Sequence, residues 1–172
     1  MILSAQTIRK LSTPPYTHAV RPLVSPFKER TVSNGKTYGL SAAGYDVRVA
    51  LKLGRAHRLH NSKWCETAGH TFVLASTMEQ FALPKNVRGV VHDKSSWIRK
   101  GLTLGNTVLE PGWRGYLTLE LIYHGEGELI ICEGDPIAQI AFEFLDAPTE
   151  QPYDGKYQNQ ERGPQPAREE KE

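Results

Sequence analysis

At 172 residues, the chain is long enough for one domain with a hydrophobic core of its own. Its 21 Lys and Arg against 19 Asp and Glu leave a net charge of +2, too weak a global field to argue for a nucleic-acid partner. No apolar run approaches the roughly 20 residues that span a bilayer, so no membrane partner is expected.

The first residues lack the charged, apolar, small-residue order of a secretion signal. Cys65 and Cys132 lie far apart, form no CxxC pair and make no zinc pattern with the 6 histidines. Together these features predict a reduced, cytoplasmic protein with two packing thiols.

Residues 1–11 read as a short helix, capped by Ser4, with Ile8 and Leu11 on one side. Residues 12–26 hold 4 prolines and should be extended and irregular. Residues 31–39 read as a polar loop with a turn signal at Asn34-Gly35. Residues 45–53 alternate at strand period: Tyr45, Val47, Val49 and Leu51 on one face, Asp46, Arg48, Ala50 and Lys52 on the other. Residues 54–69 are polar and give no pattern. Short β-rich runs then follow closely: residues 71–78, 87–91, 102–109, 116–123, 129–132 and 137–145, divided by Gly and Pro. Many short strands and little helix predict a mainly β fold, a sandwich or barrel. The domain should occupy residues 1–146. Beyond it, residues 147–172 turn polar and Pro/Gln/Glu-rich, which reads as a C-terminal arm or lid, partly flexible.

Three features carry chemistry. Segment 93–101 places Ser95 and Ser96 among Lys94, Arg99 and Lys100. A guanidinium fork, ammonium groups and hydroxyls suit a polyphosphate, although a solvated basic loop has the same composition. In the run 116–123, Leu117, Leu119 and Leu121 share one face and Glu120 lies on the other, between Thr118 and Ile122. A carboxylate there either faces solvent or enters a wet pocket, where burial raises its pKa toward a general base's range. Finally, Glu110 precedes the turn Pro111-Gly112 and Trp113 follows it. That pairing suits a sugar, or is a plain hairpin with a core Trp.

Four segments, in order, resemble the shared motifs of the trimeric dUTPase and dCTP deaminase superfamily. They are Ala42-Ala43-Gly44-Tyr45-Asp46-Val47; Lys94-Ser95-Ser96 through Arg99 and Gly101; Leu109-Glu110-Pro111-Gly112-Trp113-Arg114-Gly115; and Gly134-Asp135-Pro136-Ile137-Ala138-Gln139. Lys94 stands where Arg is usual and Glu110 where Asp is usual. The deaminase branch is favoured by the opening Met1-Ile2-Leu3-Ser4, by Glu120 at the family's catalytic glutamate, and by Lys156-Tyr157-Gln158-Asn159-Gln160, similar to its Lys-Tyr-x-x-Gln closing segment. The glycine-rich last motif of dUTPases is absent. Against this, the Ala-Gly-Tyr-Asp form of the first motif is dUTPase-like, and Gly105-Asn106-Thr107-Val108 replaces a longer arginine-bearing stretch of bacterial deaminases.

The resemblance implies a distorted β-barrel, a dUTPase-like jelly roll with a short N-terminal helix, in a homotrimer with sites shared between subunits. The implied reaction is deamination of dCTP to dUTP, with a bifunctional route to dUMP, a dUTP pyrophosphatase and a non-catalytic nucleotide sensor as alternatives. Glu120, Ser95 and Arg99 would be catalytic. Lys94, Ser96, Asn106, Thr107, Glu110, Trp113, Gln139, Tyr153, Lys156 and Gln160 would hold the nucleotide. Mg²⁺ would ride on the triphosphate, no zinc would be needed, and dTTP is a candidate feedback inhibitor.

Overall fold

The computed structural model describes residues 1–13, 21–33, 35–50, 57–61 and 71–169, with backbone alone for residues 57–61 and Thr71. Helix α1 (Ala5–Ser12) starts after Ser4, whose carbonyl accepts the Ile8 N–H at 3.0 Å. Ile8 is buried on its inner face. Twelve strands follow among the described residues: β1 (Val24–Ser25), β2 (Thr31–Ser33), β3 (Lys36–Ser41), β4 (Gly44–Ala50), β5 (His57–Asn61), β6 (Thr71–Ala82) and β7 (Val87–Asp93). After the single-turn helix α2 (Ser95–Ile98) come β8 (Leu102–Leu104), β9 (Val108–Leu109), β10 (Arg114–Tyr123), β11 (Gly127–Ile131) and β12 (Pro136–Phe144).

Ten strands form one sheet along the path β8-β10-β6-β4-β12-β7-β9, with β1 on β6 and the β2–β3 hairpin on β4. Its named pairings are antiparallel. The two end strands of that path, β8 and β9, are consecutive in the chain and are joined by residues 105–107 alone. Since an extended residue spans at most about 3.6 Å, this short crossing draws the two ends of the sheet together. The sheet therefore curls around its core, which contains Tyr45, Phe81, Phe142, Leu119, Leu121 and Ile140. The phenyl rings of Phe81 and Phe142 lie 6.5 Å apart at 43°. The mainly β architecture with a short N-terminal helix agrees with the sequence.

Some local expectations are revised. Residues 31–39 are not a loop but a hairpin, Thr31 pairing with Tyr38 and Ser33 with Lys36; Asn34 lies outside the described residues. The run 102–109 is not one strand, because residues 105–107 carry it from one end of the sheet to the other. Cys132 is exposed in a turn rather than packed. Cys65 and residues 51–53 lie outside the described residues, as does most of 54–69.

β4 departs from its expected half-polar face, since Asp46 is as enclosed as its apolar neighbours. On the same face Arg48 donates from Nε to Glu79 Oε1 at 2.7 Å and from its backbone N–H to Oε2 at 2.9 Å. The Arg48 guanidinium also lies 4.6 Å from the centre of the Tyr38 ring. Glu79 has no exposed surface, and burial holds its carboxyl above the ordinary 4.5 despite the arginine. A folded-state pKa above the unfolded one favours the fold at low pH, and that contribution is lost as pH rises through the folded value.

Arg48→Met should therefore destabilise the protein by about 3–5 kcal/mol at neutral pH, the cost of stranding a buried charge. The loss should shrink in acid, where Glu79 binds a proton, and adding Glu79→Gln should recover part of it. Urea unfolding at two pH values measures this; a single variant as stable as the parent at neutral pH would refute it.

Candidate active site

β10 lies between β6 and β8, and its register on β6 slips between Tyr116 and Thr118. A bulge of this kind re-aims side chains. Leu117, Thr118 and Glu120 accordingly all line one cavity of about 510 Å³. Thr107, Val108, Glu110 and Trp113 line it from the segment before β10, and Phe72 and Leu74 from β6. Tyr153, Tyr157, Gln160 and Gln165 line it from the C-terminal segment.

Glu120 is half-buried, and desolvation pushes its pKa above 4.5, partly offset by a hydrogen bond with its own backbone. The proton is then held to higher pH than on a free glutamate, which suits a group that must both take and return one. One wall beside it is Gly105. A Cβ there would stand 3.1 Å from Glu120 Cβ and 3.3 Å from Oε2, so an added methyl would press on the Glu120 side chain.

Trp113 is buried with its ring 6.5 Å from Phe81, and its Nε1–H donates to the Tyr157 carbonyl at 2.8 Å. The residue is thus both core and cavity wall. Tyr157 N–H donates to the Tyr153 hydroxyl at 3.1 Å. Gln160 runs beside Gly115, whose φ of +144° and lack of a Cβ let the backbones approach; an added Cβ would meet Gln160 N at 2.6 Å. Thr118 Oγ1 accepts from Gln160 Nε2 at 2.8 Å and from Gln165 N–H at 3.1 Å. Arg168 N–H donates to the Tyr157 hydroxyl at 2.9 Å. In this way residues 153–168 fold back along their own chain's cavity.

A second constellation gathers three of the sequence motifs. Lys94 Nζ donates to Asp46 Oδ2 at 2.6 Å, and Gln139 Nε2 donates to Asp46 Oδ1 and Ser41 Oγ, each at 3.2 Å. Behind them Trp97 is buried, its Nε1–H donating to the Pro136 carbonyl at 2.5 Å. Lys36 and Lys100 ammonium groups lie 4.9 and 5.1 Å from its ring centre. This anchor fixes α2, while Ser95, Ser96 and Arg99 stand at the surface.

The chain thus divides the expected site residues. Glu120, Glu110, Thr107, Trp113, Tyr153 and Gln160 line the cavity; Ser95, Arg99, Lys94, Ser96 and Gln139 do not. Asn106 Nδ2 faces Asp93 Oδ2 at 3.5 Å, and Lys156 lies 5.5 Å from the Tyr157 ring centre, both away from the lining. Sequence reasoning overlooked Thr118, Tyr157, Gln165 and Asp93. Thr118 had a signal, two residues before Glu120 on one strand face, and Tyr157 sits inside the closing motif. Asp93 opens segment 93–101 but nothing there marks its role, and Gln165 had no signal. Among the described residues no three His, Cys, Asp or Glu side chains gather as metal ligands.

A family profile described as dCTP deaminase-like matches residues 55–145. A dCTP deaminase of Roseiflexus castenholzii is 33% identical over 159 residues, covering 80% of this chain and 86% of its own. The fold is similar to a 2'-deoxycytidine 5'-triphosphate deaminase from Agrobacterium tumefaciens, with a TM-score of 0.60 and 16% identity over 84% of this chain and 46% of that one. It is also similar to the dUTPase of Staphylococcus aureus phage phi11, with a TM-score of 0.51 and 16% identity over 78% of this chain and 94% of that one.

Thr118→Val should strip the acceptor from two N–H donors, at about 1–3 kcal/mol for each buried group left unsatisfied. Amide hydrogen exchange over residues 160–168 should then accelerate while β6 and β12 stay protected. Unchanged exchange in that segment would show that Thr118 does not hold it.

Proposed function

The chain belongs to the dCTP deaminase family, and from that premise we propose that it hydrolyses the C4 amino group of dCTP, giving dUTP and ammonia. The observation that carries the reading is Glu120, a half-buried carboxyl at the wall of a cavity of about 510 Å³ lined by aromatic and amide side chains. Its pKa, raised above a free glutamate's by burial, suits a group that takes and returns a proton.

In the proposed reaction, the Glu120 carboxylate takes a proton from water as the water oxygen bonds to C4. The carboxyl then gives that proton to the amino group, the C4–N bond breaks and ammonia leaves. Ser95 orients water and base, and Arg99 steadies developing negative charge. Lys94, Ser96 and Gln139 receive the triphosphate, while Glu110 and Trp113 flank the deoxyribose. Tyr153, Lys156 and Gln160 close over the nucleotide. Mg²⁺ bound with the nucleotide beside Lys94, Ser96 and Gln139 would screen the charge of the phosphates. Since Ser95 and Arg99 lie outside the Glu120 cavity of their own chain, the site is assigned to the interface of a homotrimer. Water activation is assigned to Glu120, so stoichiometric, activity-linked zinc in the purified protein would overturn this mechanism.

A second reading is favoured by Glu110, an exposed carboxyl at the same cavity. It could activate water against the α-phosphate, making the enzyme bifunctional with dUMP as product. Chromatography of products from dCTP and from dUTP, each with Mg²⁺, separates the readings. Formation of dUTP and ammonia supports the first and dUMP from dCTP the second. Turnover of dUTP alone would defeat both.

Glu120→Gln should keep nucleotide binding and lose roughly 10²- to 10⁴-fold in ammonia release. Full activity would remove Glu120 from the mechanism. In the parent enzyme the acid limb of the rate profile should lie above an ordinary glutamate's titration, because Glu120 works as a base only once deprotonated. Co-refolding inactive Glu120→Gln with inactive Arg99→Ala tests the shared site. Random assortment should restore about a quarter of the sites if each is built from two copies, and none if each chain works alone.

A further inference from the structure

The crossing at residues 105–107 is held from one side by a carboxylate that the mechanism does not use. Asp93 ends β7 and immediately precedes Lys94. Its Oδ1 accepts the Leu104 N–H at 2.7 Å, and its Oδ2 faces Asn106 Nδ2 at 3.5 Å. β8 is an end strand of the sheet, so an outward N–H there has no strand partner, and Asp93 supplies one. One residue on, Gly105 N–H donates to the Glu120 carbonyl at 2.9 Å, and Val91 N–H donates to the Thr107 carbonyl at 3.0 Å. The Gly105 Cα lies against the Glu120 side chain closely enough that a Cβ would touch it. A short, continuous path thus runs from the Asp93 carboxylate through Leu104 and Gly105 to Glu120.

We propose that Asp93 is a positioning residue for Glu120, acting through this crossing. Its carboxylate pins the backbone that walls the reacting carboxyl, fixing where Glu120 points and how much water reaches it. The proposal rests on Glu120 being the base assigned above. Among the described residues, the titratable groups sharing the Glu120 cavity are Glu110, Tyr153 and Tyr157, from the segment before β10 and the C-terminal segment, while β6 presents Phe72 and Leu74 there. None of them touches Asp93 through the hydrogen bonds described, so a change at Asp93 reaches Glu120 through the wall.

The test compares Asp93→Ala with Asp93→Asn, following dCTP turnover and, separately, the Glu120 carboxyl titration by ¹³C NMR of the nucleotide-free protein. Asp93→Ala should lower kcat on the order of tenfold or more with little change in KM, the mark of a misplaced catalytic group. It should also move the Glu120 titration down toward the ordinary 4.5 as water enters. Asp93→Asn keeps an oxygen for the Leu104 N–H and should retain parent values of both.

Parent-like kcat and titration in Asp93→Ala would overturn the proposal. So would Asp93→Asn as impaired as Asp93→Ala, which would assign the effect to charge beside Lys94. Should Asp93→Ala fail to fold, Gly105→Ala presses on the same wall from within and should cut kcat with KM preserved; unaffected turnover there would also overturn it. Failure of the base assignment reads differently: Glu120→Gln would remain active, while the Glu120 titration in Asp93→Ala would still report on the wall.

Discussion

The structure depends on a short piece of chain that must bridge two ends of one sheet. β8 pairs on one flank and β9 on the other, and residues 105–107 are all that joins them. The short span limits how far apart the two ends can lie, so the sheet curls around its core, and β10 presents Glu120 on the face opposite Leu119 and Leu121, toward the cavity. The hydrogen bonds at the crossing are sparse because neither β8 nor β9 is long enough for a full ladder. Asp93 to Leu104, Val91 to Thr107 and Gly105 to Glu120 do that work instead.

Two glutamates in neighbouring strands show how surroundings decide what a carboxyl is for. Glu79 on β6 is fully enclosed, and Arg48 satisfies both its oxygens. It holds β4 to β6, and its cost of burial is offset by a charged, bidentate partner. Glu120 on β10 is only half-buried and faces a cavity whose described lining residues include no cation. Burial raises both carboxyls, but only Glu120 has space for a reacting molecule beside it. A structural carboxylate needs a partner; a chemical one needs a vacancy.

The same chain carries two groups of polar residues that do not meet. The cavity group holds the acid and the apolar walls, and the α2 group holds exposed hydroxyls and cations on a tryptophan anchor. Asp93 borders both, bonded to the crossing beside Glu120 and standing one residue before Lys94. The C-terminal segment joins the cavity group by bonds to Thr118 and Trp113. It acts as part of the wall in this conformation.

By itself, the sequence determined the strand content, the position of Glu120 among leucines and the four motifs that carry the family. Those signals are local: strand alternation repeats every second residue, and each motif is a contiguous turn. Tertiary structure alone decided that β4 is enclosed on both faces, that residues 102–109 break into two strands, and that Cys132 faces out. It also decided that Lys94 pairs with Asp46 across 48 residues and Gln160 with Thr118 across 42. Asp93 is the sharpest case. Its role exists only because the sheet's curl brings β7 alongside β8, and no periodicity within either strand encodes that meeting.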